Sequence, residues 1–459
     1  MRRPNIIFIL ADDMGYGDIG LFSRGNALTP SLDKMASEGV CLTQHYAESP
    51  VCTPSRAALL TGRYHHRTGA IDMRELRGLS NISLKETTVA DVFKSNGYAT
   101  GLIGKWHSGT IGKKYHPNAR GFDEFVGFRG GGCGYYDYRL YYNDEIRESR
   151  GQYLTELFTD EAISFIDRHK DGPFFLHLAY NAPHKPLEAP EDDVKIFGDR
   201  GIYSRGVSIL YGMILNMDRG IGRIFDKLKE HKIDGETLVL FTSDNGPEFG
   251  GPGEMCTDRF NCNLAGTKGH VFEGGIKVPA ILRWPGKLKA GVKDDCFAHG
   301  TDWFPTFCAA AGIDVPERIK LDGFNILPYL TGEADKQNAK RFWQWNRYKP
   351  EMTCNAAMRD GIWKLVRPMI EEAMKTDRGE WNEDRIVEKN PEAYFENIKT
   401  PFPPRALPPP GPAMLFDIEA DPLERNNLAS EHPERAKAML SELEEWFDEV
   451  ESERLSINE

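Results

Sequence analysis

Short apolar runs alternate with amphipathic segments over the first two-thirds of the chain. Four runs have the length and composition of buried strands, at residues 5–10, 99–103, 174–180 and 237–242. Apolar residues at helical spacing predict helices at 31–38, 55–60, 88–95, 154–169 and 206–229. This alternation predicts an α/β fold with a large, mixed, mostly parallel sheet that helices bury on both faces.

The pattern changes after about residue 335. Strands are predicted at 341–348 and 415–418, and residues 355–367 predict a hairpin that turns at Asp360-Gly361. An amphipathic helix is predicted at 433–453, with Pro433 in its first turn. The sequence therefore predicts two domains, 1–335 and 336–459, the second a smaller α+β unit with an antiparallel sheet.

A long stretch at about 368–414 separates two of these predicted strands. It is acidic at first and then rich in proline, and connections of this length are uncommon unless they are functional or disordered. One hypothesis is that it folds back over the mouth of a site or forms an oligomer interface. The alternative is a surface excursion without function.

Composition and charge exclude some classes of protein. The 459 residues carry a formal net charge of −12, which argues against a nucleic-acid binder. No apolar run approaches the length of a membrane span. The first strand begins so close to residue 1 that no signal peptide fits, so we expect a cytosolic protein or a leader that was removed.

The eight cysteines lack paired metal spacing, and four disulfides or eight free thiols fit equally well.

Polar side chains follow each of the four buried runs. Ligands of open α/β sheets bind outside the carboxyl ends of the strands. The residues placed there are Asp12, Asp13, Lys105, His107, His184, Asp244 and Asn245. The Asp and Asn side chains offer oxygen ligands that suit Ca²⁺ or Mg²⁺ better than zinc. Asp12-Asp13 or Asp244-Asn245 alone could be an ordinary turn. Their joint occurrence favours a metal site.

The segment that begins at Cys52 reads C-T-P-S-R-A-A-L-L-T-G-R. Pro54 and Ser55 can open a helix, so Cys52 would lie at a helix N-terminus, where the backbone favours anions. A cysteine at such a place is either a reactive nucleophile or a small buried residue. The residues alone leave both interpretations open.

This segment resembles the signature of the type I sulfatases, the formylglycine-dependent members of the alkaline phosphatase superfamily. Other blocks match that family in order along the chain: NIIFILADDMGYGD at 5–18, GKWH at 104–107, RGFDEFVGF at 120–128, APHKP at 182–186, MDRGIG at 217–222, SDNG at 243–246, GTKGHVFEGG at 266–275 and LFDIEADPLERNNL at 415–428. The segment 368–414 departs from the family, in which a short turn usually joins the two strands.

The resemblance implies an alkaline phosphatase-like fold with residues 1–335 as the catalytic domain. It implies that Cys52 is converted to Cα-formylglycine, whose hydrate attacks sulfur with one hydroxyl and expels sulfate with the other. It also implies one Ca²⁺ ion, with Mg²⁺ as the alternative. The implied metal ligands are Asp12, Asp13, Cys52, Asp244 and Asn245.

The resemblance also assigns roles to five further residues. Arg56 holds the diol, while Lys105 and Lys268 grip the sulfate oxygens. His107 is the expected base of the elimination step, and His184 the expected general acid for the leaving alcohol. Three cations and a divalent ion then outweigh three carboxylates, so the expected site is positive although the chain is acidic.

The expected substrate is a sulfate ester, on a sulfated carbohydrate or on a small aryl sulfate. The rival interpretations are a phosphatase or phosphonate monoester hydrolase of the same superfamily, and an inactive sulfatase-like binding module. The implied partner is a formylglycine-generating or anaerobic maturation enzyme; a homo-oligomer stays open. The family points to a periplasmic or extracellular location, with the leader absent from this chain and the cytoplasm as the alternative.

Several other residues are weaker candidates. His65 and His66 could reach substrate or serve a helix end. Trp343 and Trp345 could stack on a sugar or belong to the core. The remaining expectations concern Cys256 and Cys262 as a disulfide or free thiols, His270 and Glu273 as supports of the loop that carries Lys268, and Asp218 as a buried structural partner. With Cys52 committed to chemistry, seven cysteines remain, so at least one is unpaired within the chain.

Overall fold

The computed structural model describes residues 3–250, 254–337 and 339–457. The strands are β1 Asn5–Ala11, β2 Val40–Tyr46, β3 Ala99–Lys105, β4 Glu124–Phe128, β5 Arg139–Tyr142, β6 Glu145–Glu148, β7 Phe174–Ala179, β8 Thr237–Ser243, β9 Ala280–Arg283, β10 Val292–His299, β11 Arg341–Gln344, β12 Ala356–Asp360, β13 Trp363–Arg367 and β14 Met414–Asp417. The helices are α1 Pro30–Ser37, α2 Cys52–Thr61, α3 His65–Thr68, α4 Val89–Ser95, α5 Leu154–His169, α6 Glu191–Gly198, α7 Arg205–Glu230, α8 Glu273–Ile276, α9 Trp303–Ala310, α10 Leu327–Thr331, α11 Glu371–Met374, α12 Arg378–Lys389 and α13 Pro433–Leu455. Within these ranges no helix is both long and apolar enough to cross a membrane.

Ten strands form one large mixed sheet. Their order is β10-β2-β9-β8-β1-β7-β3-β4-β5-β6. The central strands β8, β1, β7, β3 and β4 run parallel, while β9, β5 and β6 pair antiparallel to their neighbours. The four strands predicted from the apolar runs are therefore adjacent, and they end at the same edge of the sheet.

Helices cover both faces of this sheet, as predicted. Successive side chains of β1 point to opposite faces, so Ile7 and Ile9 pack with α1, α5 and α7, whereas Phe8 and Leu10 pack with α2, α4 and α9. Because both faces are buried, these strands are apolar throughout rather than alternating.

A four-stranded antiparallel sheet, β11-β12-β13-β14, follows. One of its faces packs on α13, and the other packs on Tyr46 and Val271. The strand predicted at 341–348 is too long, because it ends at Gln344. Asn346 explains the early end: its side chain donates to the backbone oxygens of Arg347 and Lys349, 2.8 Å away in both cases, which fixes a turn. The domain boundary at 335 stays a prediction.

The segment 368–414 contains α11, α12 and an extended proline-rich stretch. It lies against the large unit rather than projecting from it. Asp384 of α12 is buried and accepts hydrogen bonds from the backbone N–H groups of Glu75 (2.7 Å) and Leu76 (3.2 Å). Val387 packs on Leu76. The segment is thus an integral part of the fold.

Candidate active site

The carboxyl ends of β1, β8, β7 and β3 bring the expected site residues together. Asp12 and Asp13 follow β1, and Asp244 and Asn245 follow the adjacent β8. Lys105 is the last residue of β3. Each of these side chains is buried. The parallel register of neighbouring strands is therefore what converts residues far apart in sequence into one cluster.

Three cations pair with the three carboxylates, and one of them, Arg56, lies near both Asp244 and Asp12. Lys105 Nζ lies 2.7 Å from Asp12 Oδ2. Lys268 Nζ lies 2.7 Å from Asp13 Oδ1. Arg56, one helical turn after Cys52, forms an ion pair of 2.8 Å with Asp244 Oδ2. The cations therefore neutralise the carboxylates and keep the cluster close to charge balance.

Cys52 opens helix α2 and points its sulfur into this cluster. Its side chain is buried, and Sγ lies 4.0 Å from Asp13 Oδ1. Burial raises the pKa of the thiol to about 12, against the opposing charges of Lys105 and Lys268. An unmodified Cys52 is consequently a neutral thiol near pH 7, and a neutral thiol is a poor nucleophile.

The cluster has the donor set of a divalent-cation site. Ligand atoms of Asp12, Asp13, Cys52 and His184 lie within 4.8 Å of one another. In the described part of the chain, Oδ1 of Asp12 and Oδ1 of Asn245 are buried and have no hydrogen-bond partner. Arg56 Nη2 lies 3.5 Å from Asp12 Oδ1 without a hydrogen bond to it, and buried oxygens that accept no hydrogen bond are costly unless something binds them. The residues therefore fit a hard cation that prefers oxygen, such as Ca²⁺.

The pKa values of two carboxyl groups reflect this crowding. Burial, followed by the charge of Asp12, raises the pKa of Asp244 to about 6. Burial also acts to raise the pKa of Asp13, but the charges of Lys268 and Lys105 outweigh it and hold that pKa well below its usual range.

The two histidines each have one ring nitrogen fixed by a carbonyl. His184 Nδ1 lies 2.7 Å from the backbone oxygen of Lys185, and its Nε2 lies 3.7 Å from Asp13 Oδ2. His107 Nε2 lies 3.2 Å from the backbone oxygen of Met73. Burial lowers the pKa of His184 to about 3 and that of His107 well below its ordinary value. Both rings are thus neutral, and each carbonyl fixes the tautomer.

Backbone conformation contributes to the placement of two of these residues. Asp13 and His107 have positive φ angles of 63° and 48°. Residues other than glycine rarely adopt this left-handed region, and they do so where the surroundings impose it. Hydrogen bonds hold both backbones: the N–H of Asp13 donates to Asp244 Oδ1 (3.2 Å), and the N–H of His107 donates to the backbone oxygen of Arg129 (3.1 Å).

Most of the weaker candidates serve the structure. His65 pairs with buried Glu48 (2.8 Å), and His66 pairs with Gln344 (2.9 Å). Trp343 is a core residue, and Asp218 accepts hydrogen bonds from the first turn of α1, which confirms its role as a buried partner. Trp345 is buried beside Gly269, and Cys256 and Cys262 are free thiols. His270 accepts a hydrogen bond from the N–H of Thr267, and Glu273 forms an ion pair with Lys364.

Sequence reasoning missed two residues that act on the site. Arg259 forms a buried ion pair with Asp18 and donates to the backbone oxygen of Asp13 (2.8 Å), so it braces the loop after β1. Asp18 belongs to a recognised block, which was a usable signal, but nothing marks Arg259. Glu388 of α12 lies beside His107 and comes from the segment that departs from the family pattern.

Comparisons with known proteins identify sulfatases as relatives of this chain. The family model described as Sulfatase matches residues 4–313, and the model described as N-sulphoglucosamine sulphohydrolase, C-terminal, matches residues 267–378. Pig N-acetylgalactosamine-6-sulfatase is 36% identical over 364 residues, which are 72% of this chain and 66% of the relative. Human arylsulfatase A is 32% identical over 462 residues, with 93% and 83% covered. An uncharacterised sulfatase of Escherichia coli K12 is 33% identical, again with 72% and 66% covered.

Solved structures of related enzymes have the same fold. Ps i-CgsB, solved in complex with k-i-k-neocarrahexaose, has a TM-score of 0.80 and 31% identity, with 97% of this chain and 93% of that chain covered. A phosphonate monoester hydrolase of Agrobacterium radiobacter shares the fold, with a TM-score of 0.63 at 21% identity and coverage of 98% and 96%.

The fold and the cluster define an α/β protein of the alkaline phosphatase superfamily. Within it, this chain belongs to the sulfatase family. The chain spans just under two-thirds, 66%, of the length of both the pig and the Escherichia coli relative.

Proposed function

We propose that this protein is a sulfuric ester hydrolase that removes sulfate from a sulfated carbohydrate. The observation that carries the proposal is the position of Cys52. Its side chain lies at the start of α2, among Lys105, Lys268 and Arg56 and against the cluster of oxygen ligands. A site with three buried cations around one reactive position suits a small tetrahedral anion.

The raised pKa of the Cys52 thiol argues against cysteine itself as the nucleophile. We infer that a maturation enzyme oxidises Cys52 to formylglycine, and the hydrate of this aldehyde supplies a hydroxyl nucleophile. Asp12, Asp13, Asp244 and Asn245 would hold Ca²⁺, which supplies positive charge to the reacting sulfate. Arg56 lies one turn along α2 from position 52, so it is placed to orient the modified side chain.

The other residues bind the substrate and move protons. Lys105 and Lys268 supply the positive charge that draws the sulfate oxygens, and this stabilisation grows as charge shifts in the transition state. His184 would donate a proton to the leaving alcohol from Nε2, which first has to take up a proton, because in the neutral ring Nδ1 carries the proton and donates it to the Lys185 oxygen. His107 has a lone pair on Nδ1 and is the base. Acid–base assistance of this kind contributes about 10²–10⁴-fold.

The carbohydrate class rests on similarity to Ps i-CgsB, at 31% identity over nearly the whole chain, and to the N-acetylgalactosamine-6-sulfatases. The aryl sulfates form the second substrate class, since arylsulfatase A is equally similar. A phosphatase or phosphonate monoester hydrolase is less favoured, because the phosphonate monoester hydrolase of Agrobacterium radiobacter shares only the fold and because Cys52 stands in a sulfatase signature.

The test combines mass spectrometry with a substrate panel. Trypsin cleaves after Lys34 and Arg56, so one peptide contains both Cys52 and Cys41. We expect an aldehyde at position 52 and an unmodified thiol at position 41, which serves as the internal control. We expect sulfate release from sulfated oligosaccharides to exceed release from an aryl sulfate and from a phosphomonoester.

Two variants separate chemistry from folding. Cys52→Ala is expected to abolish sulfate release, whereas Cys308→Ala, at another buried free thiol outside the site, is expected to retain it. A thiol at position 52 in fully active protein contradicts the nucleophile assignment. Faster turnover of the phosphomonoester contradicts the sulfatase assignment.

A further inference from the structure

Helix α12 carries a carboxylate to His107. One oxygen of Glu388, one oxygen of Glu75 and one ring nitrogen of His107 lie within 4.8 Å of one another. The family models match residues 4–313 and 267–378, so neither extends beyond the first residue of α12. Glu388 therefore lies outside the part of the chain that those matches cover.

One face of α12 is built for this contact. Residues 384, 387 and 388 share a face, since positions three and four apart are neighbours on a helix. Asp384 accepts from the backbone of Glu75 and Leu76, and Val387 packs on Leu76. The Asp377 side chain caps the helix by accepting from two N–H groups of its first turn. These anchors fix the position of Glu388 before any substrate binds.

The hydrogen bonds of His107 define which of its nitrogens can react. A carbonyl only accepts, so the contact with the Met73 oxygen places the proton of the neutral ring on Nε2. The lone pair is then on Nδ1, which is buried and has no hydrogen-bond partner among the described residues. An imidazole in this state can accept a proton at Nδ1 and become positively charged.

Of the two carboxyl groups near the ring, Glu388 is the one that remains available. Both oxygens of Glu75 already accept hydrogen bonds, from Thr110 (2.8 Å) and from Ser80 (2.7 Å). Burial raises the pKa of both groups, that of Glu75 to about 8 and that of Glu388 to about 7, so their hydrogen bonds and not their charges distinguish them. In the described structure Glu388 accepts one hydrogen bond, from the N–H of Gly131 (3.1 Å).

Gly131 allows the carboxylate and the ring to approach each other. A β-carbon at this position would lie 2.9 Å from Cε1 of His107 and 3.1 Å from Oε1 of Glu388. The first distance is shorter than any ordinary carbon contact, so a side chain there would push the ring or the carboxylate away. The glycine thus leaves the space in which Glu388 and His107 meet.

We propose that Glu388 is a positioning residue for His107. Its carboxylate keeps the imidazole in the orientation in which Nε2 donates to the Met73 oxygen and Nδ1 stays free, and it stabilises the positive charge that forms when Nδ1 accepts a proton. The proposal rests on the role of His107 as base in the proposed function. It adds a residue from the 368–414 segment to the chemistry of the site.

The kinetic test measures kcat and KM for sulfate release. Glu388→Ala is expected to lower kcat by about 10–100-fold, the range for partners that orient a reacting group, with little change in KM. Glu388→Gln keeps the size of the side chain and is expected to lower kcat less. Glu383→Ala, on the exposed face of the same helix, is the matched control and is expected to leave both constants unchanged.

A double-variant cycle separates positioning from general stability. If Glu388 acts through His107, adding Glu388→Ala to His107→Ala slows the enzyme no further. An equal slowing in the wild-type and His107→Ala backgrounds overturns the proposal, as does a Glu388→Ala enzyme that matches Glu383→Ala. Thermal unfolding identifies a misfolded variant, and Glu388→Gln then takes the place of Glu388→Ala in the cycle.

A spectroscopic test decides the proposal independently of activity. Histidine ¹⁵N NMR reports which ring nitrogen carries the proton, and His107→Gln assigns the His107 signals. We expect the Nε2-protonated form in the wild type and a mixture of tautomers in Glu388→Ala; identical spectra overturn the proposal. A wild-type protein that releases no sulfate contradicts the proposed function alone, because the spectra still test the contact.

Discussion

A buried ion cluster connects the small sheet to the loop that carries Lys268. Lys364 of β13 lies 2.9 Å from Glu273 Oε1 and 2.9 Å from Glu424 Oε1, and all three side chains are fully buried. The N–H of Glu273 also donates to Glu424 Oε2 (2.6 Å). Replacing Lys364 by methionine keeps the volume of the side chain but leaves two buried carboxyl groups without their common cation.

The expected cost follows from these distances. At an effective dielectric constant of about 20, each ion pair at this separation contributes an attraction of about 6 kcal/mol, most of which offsets desolvation. Removing one partner of a buried pair costs about 3–5 kcal/mol, because the remaining charge has no compensation. Lys277, whose Nζ lies 4.0 Å from Glu273 Oε2, compensates only in part. We therefore expect Lys364→Met to lower the free energy of unfolding by about 3–5 kcal/mol.

Urea unfolding followed by tryptophan fluorescence measures this change. The matched control is Lys375→Met, which breaks an exposed ion pair with Glu371 at 2.8 Å and is expected to leave the urea midpoint nearly unchanged, because solvent screens that pair. Because Glu273 begins α8, five residues after Lys268, the same variant is expected to loosen the lysine loop and raise KM. If both variants shift the urea midpoint equally, the argument from burial is refuted.

Three further predictions concern the metal, a glycine and pH. Removing divalent cations with a chelator is expected to lower the thermal midpoint. Adding Ca²⁺ at about 1,000 times its Kd is expected to raise the free energy of unfolding by about 4 kcal/mol. An Asp244→Ala variant that shows the same stabilisation by Ca²⁺ would contradict the assignment of Asp244 as a ligand. Gly104→Ala is expected to lower the free energy of unfolding by about 3 kcal/mol or more, because its β-carbon would lie 1.8 Å from the Ala179 oxygen. Gly97→Ala, also at positive φ but in open space, is expected to lower it by about 1–2 kcal/mol. Equal thermal midpoints of the two variants would refute the steric argument. Burial lowers the pKa of His45 and of His177 to about 3, so below pH 6.5 the unfolded chain binds more protons than the folded chain. The free energy of unfolding is therefore expected to fall by about 1.4 kcal/mol per pH unit for each histidine as the pH decreases from 6.5. Urea titrations of His177→Gln should show a weaker dependence of this free energy on pH, and an unchanged dependence would exclude His177 as one of its causes.

The sequence was sufficient for the architecture of the large sheet. Its four central strands are buried on both faces, so each is an unbroken apolar run that periodicity detects, and the residues after each run necessarily share an edge. The blocks around Cys52 and Lys268 then indicated the family. Local signals failed where side chains override them, as at Asn346, whose hydrogen bonds end a strand four residues early.

The details of the site depend on contacts that no local pattern encodes. The ion pairs of Lys105 with Asp12 and of Lys268 with Asp13 join residues about 90 and 255 positions apart. The surroundings of His107 depend on α12, which lies in a segment without a family pattern to guide its placement. The positive φ at His107 reflects tertiary constraints on a residue type that does not favour that conformation.

The burial of Cys52 sets a time limit on access to it during synthesis. The loop that carries Lys268 closes one side of the cluster around Cys52, and it is fixed by Gly269, whose N–H donates to the backbone oxygen of Pro50 (2.8 Å). A ribosome adds about 5–20 residues per second, so the 217 residues that follow Cys52 up to and including Gly269 take roughly 10–40 s to synthesise. Throughout that interval the loop that carries Lys268 does not yet exist, so the proposed maturation enzyme could reach Cys52 on the nascent chain. On this proposal, faster synthesis would shorten the period in which the thiol can be reached.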